Sequence, residues 1–173
     1  MMNKKRISTT DIAQIGSLIA LIEASKLLLL AFPNIELSTF WLILFTLYLG
    51  PKILIAIPAF ILIEGLLYGF GLWWIMYLYV WPLLVILVLI FKKYASIWFY
   101  VILSSVFGLF FGLFCSIPYF FIGLTDGGIS SGLSAAFTWW IAGIPYDIIH
   151  CIGNFVSMLV LYHPITNVMK RFK

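Results

Sequence analysis

The residues with the clearest chemical potential lie in the last apolar stretch of the chain. Asp147, His150 and Asn154 are spaced so that a helical repeat places them along one side, just after Pro145. Ionisable groups in an apolar helix are costly and usually face a polar cavity or a partner group. The pattern leaves open a structural Asp147–His150 pair, a ligand site or a packing hinge near Pro145. A metal site is disfavoured, because further ligands are missing nearby.

Aromatic side chains gather near two predicted turns and at the start of the same last stretch. An interfacial belt explains some of them, because Trp and Tyr favour the boundary between hydrocarbon and headgroups. So many rings around glycine-rich turns also favour a stacking pocket for a flat organic ligand. We therefore predict a binding site formed by these aromatic and polar side chains: Trp73, Trp74, Tyr77, Trp139, Trp140, Asp147, His150 and Asn154.

Other polar residues interrupt the apolar stretches singly. Glu23 and Lys26 are three residues apart, so they can pair with each other or contact a polar ligand. Glu64 needs a partner or neutralisation if it faces the interior. Cys115 and Cys151 show no metal-type spacing, and we expect buried free thiols rather than a disulfide or a zinc site.

The amino-acid composition indicates whether these residues lie in water or in a lipid bilayer. Of the 173 residues, 64% are hydrophobic, 18% aromatic and only 9% charged, too few polar groups for the surface of a water-soluble domain. The bilayer is the natural environment, and no polar stretch is long enough for a separate soluble domain. We predict one domain over residues 1–173.

Charged residues and turn signals divide the chain into apolar segments of roughly membrane-spanning length, about 20 residues per crossing. The fold class predicted is an all-α integral membrane protein with a single bundle of about six transmembrane helices. The second segment is short for a full crossing. The predicted spans are 10–32, 36–50, 53–69, 72–91, 95–123 and 133–163.

The basic residues predict the orientation of these spans. With six spans and a cytoplasmic N-terminus, nine of the ten Lys and Arg residues fall on the cytoplasmic side, and only Lys26 does not. Both termini are then cytoplasmic, while the outward turns carry Glu36 and Asp126. The basic group at residues 4–6 precedes an apolar run without a clear cleavage site, so we expect a retained first helix in the cell membrane.

Three small residues of the first helix, Gly16, Ala20 and Ala24, recur every four residues and share one face. Such a face permits close approach of another helix, either within the bundle or from a partner subunit.

Sequence signatures of common enzymes are missing. The chain has no GxSxG elbow, no HExxH helix and no GxxxxGK[ST] loop, so it cannot act alone as an ATPase. We expect no catalytic residue, cofactor or metal, and if the protein transports, another subunit supplies the energy. The alternatives are a membrane-integral enzyme that uses Asp147, His150 and Glu64 as acid–base groups, or an autonomous small-molecule transporter.

The stretch from Trp140 to Asn154 contains the pattern Gly-Ile-Pro-Tyr-Asp-x-x-His-x-x-x-Asn, beginning at Gly143. Together with the predicted short helices and the small-residue face, it resembles the substrate-binding S components of energy-coupling factor (ECF) vitamin transporters. The resemblance implies a membrane-embedded, high-affinity binder of a micronutrient. It also implies association with a transmembrane coupling subunit and two cytoplasmic ATPases.

The same resemblance implies that the small-residue face of helix 1 docks the coupling subunit. The family pattern is of the Ala-x-x-x-Ala type, whereas here Gly16 comes first and Ala20 and Ala24 follow. The ligand expected is a heterocyclic vitamin such as a B6 vitamer, riboflavin, folate or a cobalamin, and the sequence does not rank these.

Overall fold

The computed structural model describes residues 8–93 and 96–171, and these ranges contain helices and turns but no strand. The first helix, α1, spans Thr9–Leu28 and begins with a capping box. The Ser8 hydroxyl accepts a hydrogen bond from the Asp11 amide, and the Asp11 carboxylate accepts one from the Ser8 amide. The helix ends earlier than the predicted span 10–32, and the connection that follows contains Asn34 at a positive φ of 60°.

Helix α2, Ser38–Leu49, is the most enclosed element, and all its residues from Ser38 to Thr46 are buried. A helix that is apolar on every side is expected in the interior. The short turn Gly50–Lys52 then connects it to α3, Ile53–Tyr68. Gly50 has a φ of 64°, which a side chain would disfavour, and this conformation lets the chain change direction.

Helix α4 spans Leu72–Phe91, as the sequence predicts. Its residue Trp81 is fully buried at the centre of the molecule. Aromatic side chains from three other helices and from α4 itself surround this indole: Phe60, Tyr77, Phe107 and Phe111.

The rest of the chain forms α5, Ile97–Leu109, the short α6, Phe111–Cys115, and α7, Ile117–Lys170. The predicted continuous span 95–123 is wrong, because the helix breaks at Phe110 and again at Ser116. Residue 95 lies outside the described residues. Non-helical torsions at Gly127 and Gly128 divide α7 into a first arm (117–126) and a second arm (129–170). The second arm is longer than the predicted span 133–163.

The two arms of α7 fold back on each other at very close range. A Cβ atom on Gly132 would lie 2.7 Å from the Phe120 carbonyl oxygen, so only glycine permits this approach. Nearby, the rings of Tyr119 and Trp139 stack with centroids 3.9 Å apart. The Asp-Gly-Gly turn predicted from the sequence is confirmed by this reversal.

Charged groups separate toward two opposite ends of the molecule. At the end we call the basic end, Lys52 pairs with Asp11, Lys92 lies beside Gly50, and Lys170 shares a groove with Tyr48. The opposite end contains the connection from α1 to α2, the turn between α3 and α4, and the Gly127–Gly128 reversal. We call it the cavity end.

By length and composition, three helical stretches of the described chain can cross a membrane: Ser38–Tyr68, Leu72–Phe91 and Phe111–Lys170. Large apolar side chains such as Leu66, Trp98 and Ile102 are exposed on the outer surface. The predicted all-α class is therefore confirmed, and the helices are compatible with membrane insertion. Helix α1 is not among the three, and it carries charged residues at 11, 23 and 26.

Candidate functional site

A cavity of about 420 Å³ opens at the cavity end, between α4, α6 and the second arm of α7. Its volume lies within the range of small-molecule sites, about 300–1,000 Å³. Most of the lining is apolar or aromatic, with Trp73 and Tyr77 contributed by α4 and Trp139 and Tyr146 by α7. Asp147 is the ionisable carboxyl group in this lining.

One face of the second arm of α7 forms a complete side of this cavity. The lining residues recur at helical spacing: Trp139, Ala142, Gly143, Tyr146 and Asp147. Ala142 and Gly143 have little or no side chain, and this leaves space between the aromatic residue at one end and the carboxylate at the other. Trp139 and Asp147 are separated by about 12 Å of helix rise, so the cavity extends over more than two turns.

A polar floor adjoins the aromatic cavity. A second cavity of about 210 Å³ is lined by Glu36 and His150, and it shares Asn34, Tyr77, Phe111, Tyr146 and Asp147 with the first. Because they share these residues, the two cavities form one continuous cleft. Its base therefore presents a carboxylate from the α1–α2 connection and two ionisable side chains from α7.

The two carboxyl oxygens of Asp147 differ: one accepts a hydrogen bond from the backbone, and the other has no donor among the described residues. Its Oδ1 accepts a hydrogen bond of 2.9 Å from the amide of Gly112, in the short helix α6. A Cβ atom on Gly112 would lie 2.5 Å from the other oxygen, so a larger residue here would displace the Asp147 carboxyl group. That oxygen, Oδ2, is buried without a hydrogen-bond partner among the described residues. Asp147 thus contacts α6 through one oxygen and keeps a second acceptor without a donor beside the cleft.

His150 is also buried, and its Nε2 has no hydrogen-bond partner in the described structure. This nitrogen lies 3.9 Å from Glu36 Oε1, too far for a direct hydrogen bond. The ring packs edge-on against Phe111. The Asp147–His150 pair considered from the sequence is not formed among the described contacts, because Asp147 bonds to Gly112 and His150 faces Glu36.

A third cavity, of about 300 Å³, lies next to the cleft, shares Trp73 and Tyr77 with it, and is lined by Lys26 and Glu64. The Lys26 ammonium forms a close ion pair with Glu64 and lies 3.9 Å from Glu36 Oε2. The alternative in which Lys26 pairs with Glu23 is wrong, since both Glu23 oxygens are buried without a hydrogen-bond partner among the described residues. Glu64 thus obtains its partner from α1.

Five of the eight predicted binding residues line this cleft: Trp73, Tyr77, Trp139, Asp147 and His150. The other three have contacts elsewhere. Trp74 donates its indole N–H to the carbonyl oxygen of Ile61, and Asn154 donates its amide to that of Ser104. Trp140 lies edge-on to Phe137. In each of the adjacent pairs 73/74 and 139/140, the first residue lines the cleft and the second, about 100° around the helix, does not.

Several lining residues were missed in the sequence. Tyr146 and Gly143 follow Trp139 at seven and four positions, so the helical repeat predicts them once Trp139 and Asp147 are assigned to one cavity. The sequence shows Lys26 and Glu64 within apolar stretches, but nothing in their local spacing connects them with the aromatic residues. Asn34 and Glu36 lie in an irregular connection, where periodicity gives no signal.

The small-residue face of α1 points away from the other helices that the structure describes. Gly16, Ala20 and Ala24 are all exposed, and a Cβ atom on Gly16 would meet nothing within 4 Å. The described helices therefore do not use this face for their own packing. Both cysteines are free, with Cys115 buried in the cavity wall and Cys151 half-buried.

Among the residues that the structure describes, no three His, Cys, Asp or Glu side chains are grouped so that they could hold a metal ion. No family model, curated protein or solved structure matches the chain. Any assignment of function therefore rests on the geometry of the cleft, the exposed faces and the sequence pattern of the last helix.

Proposed function

We propose that the protein is a membrane-embedded substrate-binding subunit, an S component of an ECF-type transporter. It captures a small heterocyclic micronutrient at the cavity end. It then delivers the ligand through association with a transmembrane coupling subunit and two cytoplasmic ATPases. The cleft is the observation that carries this proposal. Side chains predicted from two separate helices converge there on one aromatic cavity with a polar floor.

The proposed orientation places the cavity end outside and the basic end in the cytoplasm. Lys52, Lys92 and Lys170 lie toward one end, and the positive-inside rule assigns such an end to the cytoplasmic side. The chain changes direction at the connections between its helices, and six crossings with both termini inside agree with this separation. Asp126, at the Gly127 reversal, would then face outward.

Single-cysteine labelling tests this orientation in cells. In a background without Cys115 and Cys151, a cysteine at position 126 should react with a membrane-impermeant maleimide added outside, whereas one at position 93 should be protected. Labelling at 93 with protection at 126 would invert the proposed orientation.

The exposed face of Gly16, Ala20 and Ala24 supports association with a partner helix, because small residues allow two backbones to approach closely in a bilayer. Under the proposal this face contacts the coupling subunit. It lies on the same helix as Lys26, which lines the third cavity, so one element connects the docking face with the site.

Two measurements test the proposed function together. A ligand screen by thermal shift should find a heterocyclic micronutrient that raises the melting temperature of the purified protein, since binding to the folded state stabilises it. Mild purification from native membranes should recover a coupling subunit and two ATPases. Ligand binding without these partners would favour an autonomous carrier instead.

An acid–base enzyme at Asp147, His150 and Glu64 has less support. General acid–base catalysis needs each acid or base within hydrogen-bond reach of the substrate proton or atom that it serves. In the described structure Glu64 is held by Lys26, and one Asp147 oxygen is held by Gly112. A purified protein that converted the ligand without partners would restore this alternative.

A further inference from the structure

The charges around the cleft are unequal. Among the described residues, three carboxyl groups line the three adjacent cavities, those of Glu36, Glu64 and Asp147, against one ammonium, that of Lys26. His150 adds a positive charge only when it is protonated. Carboxyl groups therefore outnumber cationic groups around the described cleft even when His150 is protonated, and the cleft is an environment that strengthens electrostatic interactions.

The ammonium of Lys26 already has carboxylate partners. Lys26 forms a close ion pair with Glu64 and a longer contact with Glu36. Asp147 receives only the amide of Gly112, and its second oxygen, although buried, has no partner. The side chain of His150 is only 7% exposed, and its Nε2 is likewise unpaired. A buried acceptor without a donor is costly, so a ligand that supplies N–H donors would recover free energy here.

The protein already places one ammonium group between an aromatic ring and a carboxylate beside this cleft. The Lys26 ammonium lies 5.5 Å from the centroid of the Tyr77 ring while it pairs with a carboxylate. Tyr77 is also part of the wall of the aromatic cavity and of the polar floor. A cation between aromatic faces and a carboxylate gains from both interactions. The unpaired oxygen of Asp147 offers a second position of this kind.

We propose that the cleft selects a flat aromatic ligand that carries a positively charged amino group. The ring lies between the aromatic walls from α4 and α7, and the ammonium N–H groups donate to Asp147 Oδ2 and to Glu36. His150 Nε2 contacts a further polar substituent. This inference rests on the proposed capture function and specifies the chemical class of its ligand.

Three indoles that differ only in the end group of a short side chain test the proposal. Tryptamine is a cation, tryptophol is neutral and indole-3-acetate is an anion. With the full-length protein in detergent, calorimetric titration should give tryptamine a dissociation constant about tenfold or more below that of tryptophol, as a charge-assisted hydrogen bond predicts. Indole-3-acetate should bind most weakly.

Variants then assign the selectivity to the carboxylates. Asp147→Asn keeps a carbonyl oxygen that can accept the Gly112 amide, so the fold should persist while the charge is lost. Combined with Glu36→Gln, it should remove most of the preference for tryptamine. Glu36→Gln alone, in the α1–α2 connection, should reduce the preference if the double variant fails to fold. Asp126→Asn removes an exposed carboxylate at the same end and should change nothing.

Three results would overturn the proposal: equal or tighter binding of tryptophol or indole-3-acetate, no binding of any probe, or an unchanged preference in the variants. Co-purification tests the proposed function independently of these binding measurements. If the coupling subunit and ATPases are recovered but the anion binds best, only the inferred ligand class fails. If tryptamine is preferred but no partner is recovered, only the transporter assignment fails.

Discussion

The basic end and the cavity end differ in how many hydrogen-bond donors and cations surround a buried carboxylate. At the basic end, Asp11 accepts hydrogen bonds from the amide and hydroxyl of Ser8, and both its oxygens contact the Lys52 ammonium, at 2.6 and 2.7 Å. At the cavity end, Asp147 has a single donor, and His150 Nε2 has none among the described residues.

This difference separates a structural charge from one that is available to a ligand. Asp11 caps a helix and connects it to the Gly50–Lys52 turn, so its acceptors are satisfied by the fold. The polar groups at the base of the cleft retain unused bonding capacity beside a cavity, which the fold does not fill. Since unsatisfied buried polar groups cost free energy, their place beside a cavity favours a binding role.

The largest effect, a loss of thermal stability, is expected at the ion pair between Lys26 and Glu64 at the cavity end. Lys26→Met leaves Glu64, which is only 2% exposed, without its cation. Removing one partner of a buried ion pair typically costs about 3–5 kcal/mol, so the melting temperature in detergent should fall steeply.

The double variant Lys26→Met with Glu64→Leu is the control. It removes both charges and should recover much of the lost stability, because two apolar side chains can replace a buried pair at little cost. A single variant as stable as the parent protein would show that this pair contributes no more than a surface contact.

The next largest effect distinguishes two neighbouring tryptophans. Trp73 lines the cleft, whereas Trp74 donates to the carbonyl of Ile61. Trp73→Ala should weaken ligand binding by about 1–3 kcal/mol, the range for an aromatic anchor. Trp74→Ala should lower thermal stability and leave affinity unchanged. Isothermal titration and thermal unfolding of both variants separate the two effects, and equal losses of affinity would place both rings at the site.

Much of this architecture follows from periodicity and hydropathy. Helix α4 begins and ends where the sequence predicts, because charged and glycine residues bound a continuous apolar run. The reversal at Gly127–Gly128 follows from residues that tolerate unusual torsions. The breaks at Phe110 and Ser116 have weaker signals: Gly108 and Gly112 flank the first, and Pro118 follows the second in the first turn of α7. Contacts between helices stabilise them, including the bond from the Gly112 amide to Asp147.

Site residues could be predicted from the sequence only where they lie on one face of the same helix. The helical spacing of Asp147 and His150 places them on one side of the helix, and both line the cleft. It fails for Asn154, which turns toward α5 and donates to Ser104. The pairing of Lys26 with Glu64 joins residues distant in sequence, whereas the local spacing indicated only that Lys26 could pair with Glu23 or contact a ligand. Which buried charges meet is decided by helix packing, which a single sequence does not encode locally.

A smaller effect is expected on the exposed face of α1. Under the proposed function, Ala20→Leu should reduce recovery of the coupling subunit and uptake by about tenfold, since overpacking a close contact costs about 1–3 kcal/mol. Ligand affinity of the isolated protein should be unchanged, because Ala20 is exposed and lines no part of the cleft. Ser134→Leu, at an exposed position on α7, is the matched control. Parallel loss of affinity would assign the α1 face to the fold.

The smallest effect is expected at the basic end. Ser8→Ala removes the hydroxyl that accepts the Asp11 amide, while Asp11 keeps its contact with Lys52. Loss of an N-cap side chain typically costs about 1 kcal/mol, so the melting temperature should fall slightly. Affinity for tryptamine should stay the same, because the capping box and the cleft lie at opposite ends of α1. Calorimetric titration of the variant checks this, and a changed affinity would mean that the two ends are energetically coupled through α1, so that the polar groups at the basic end also contribute to binding.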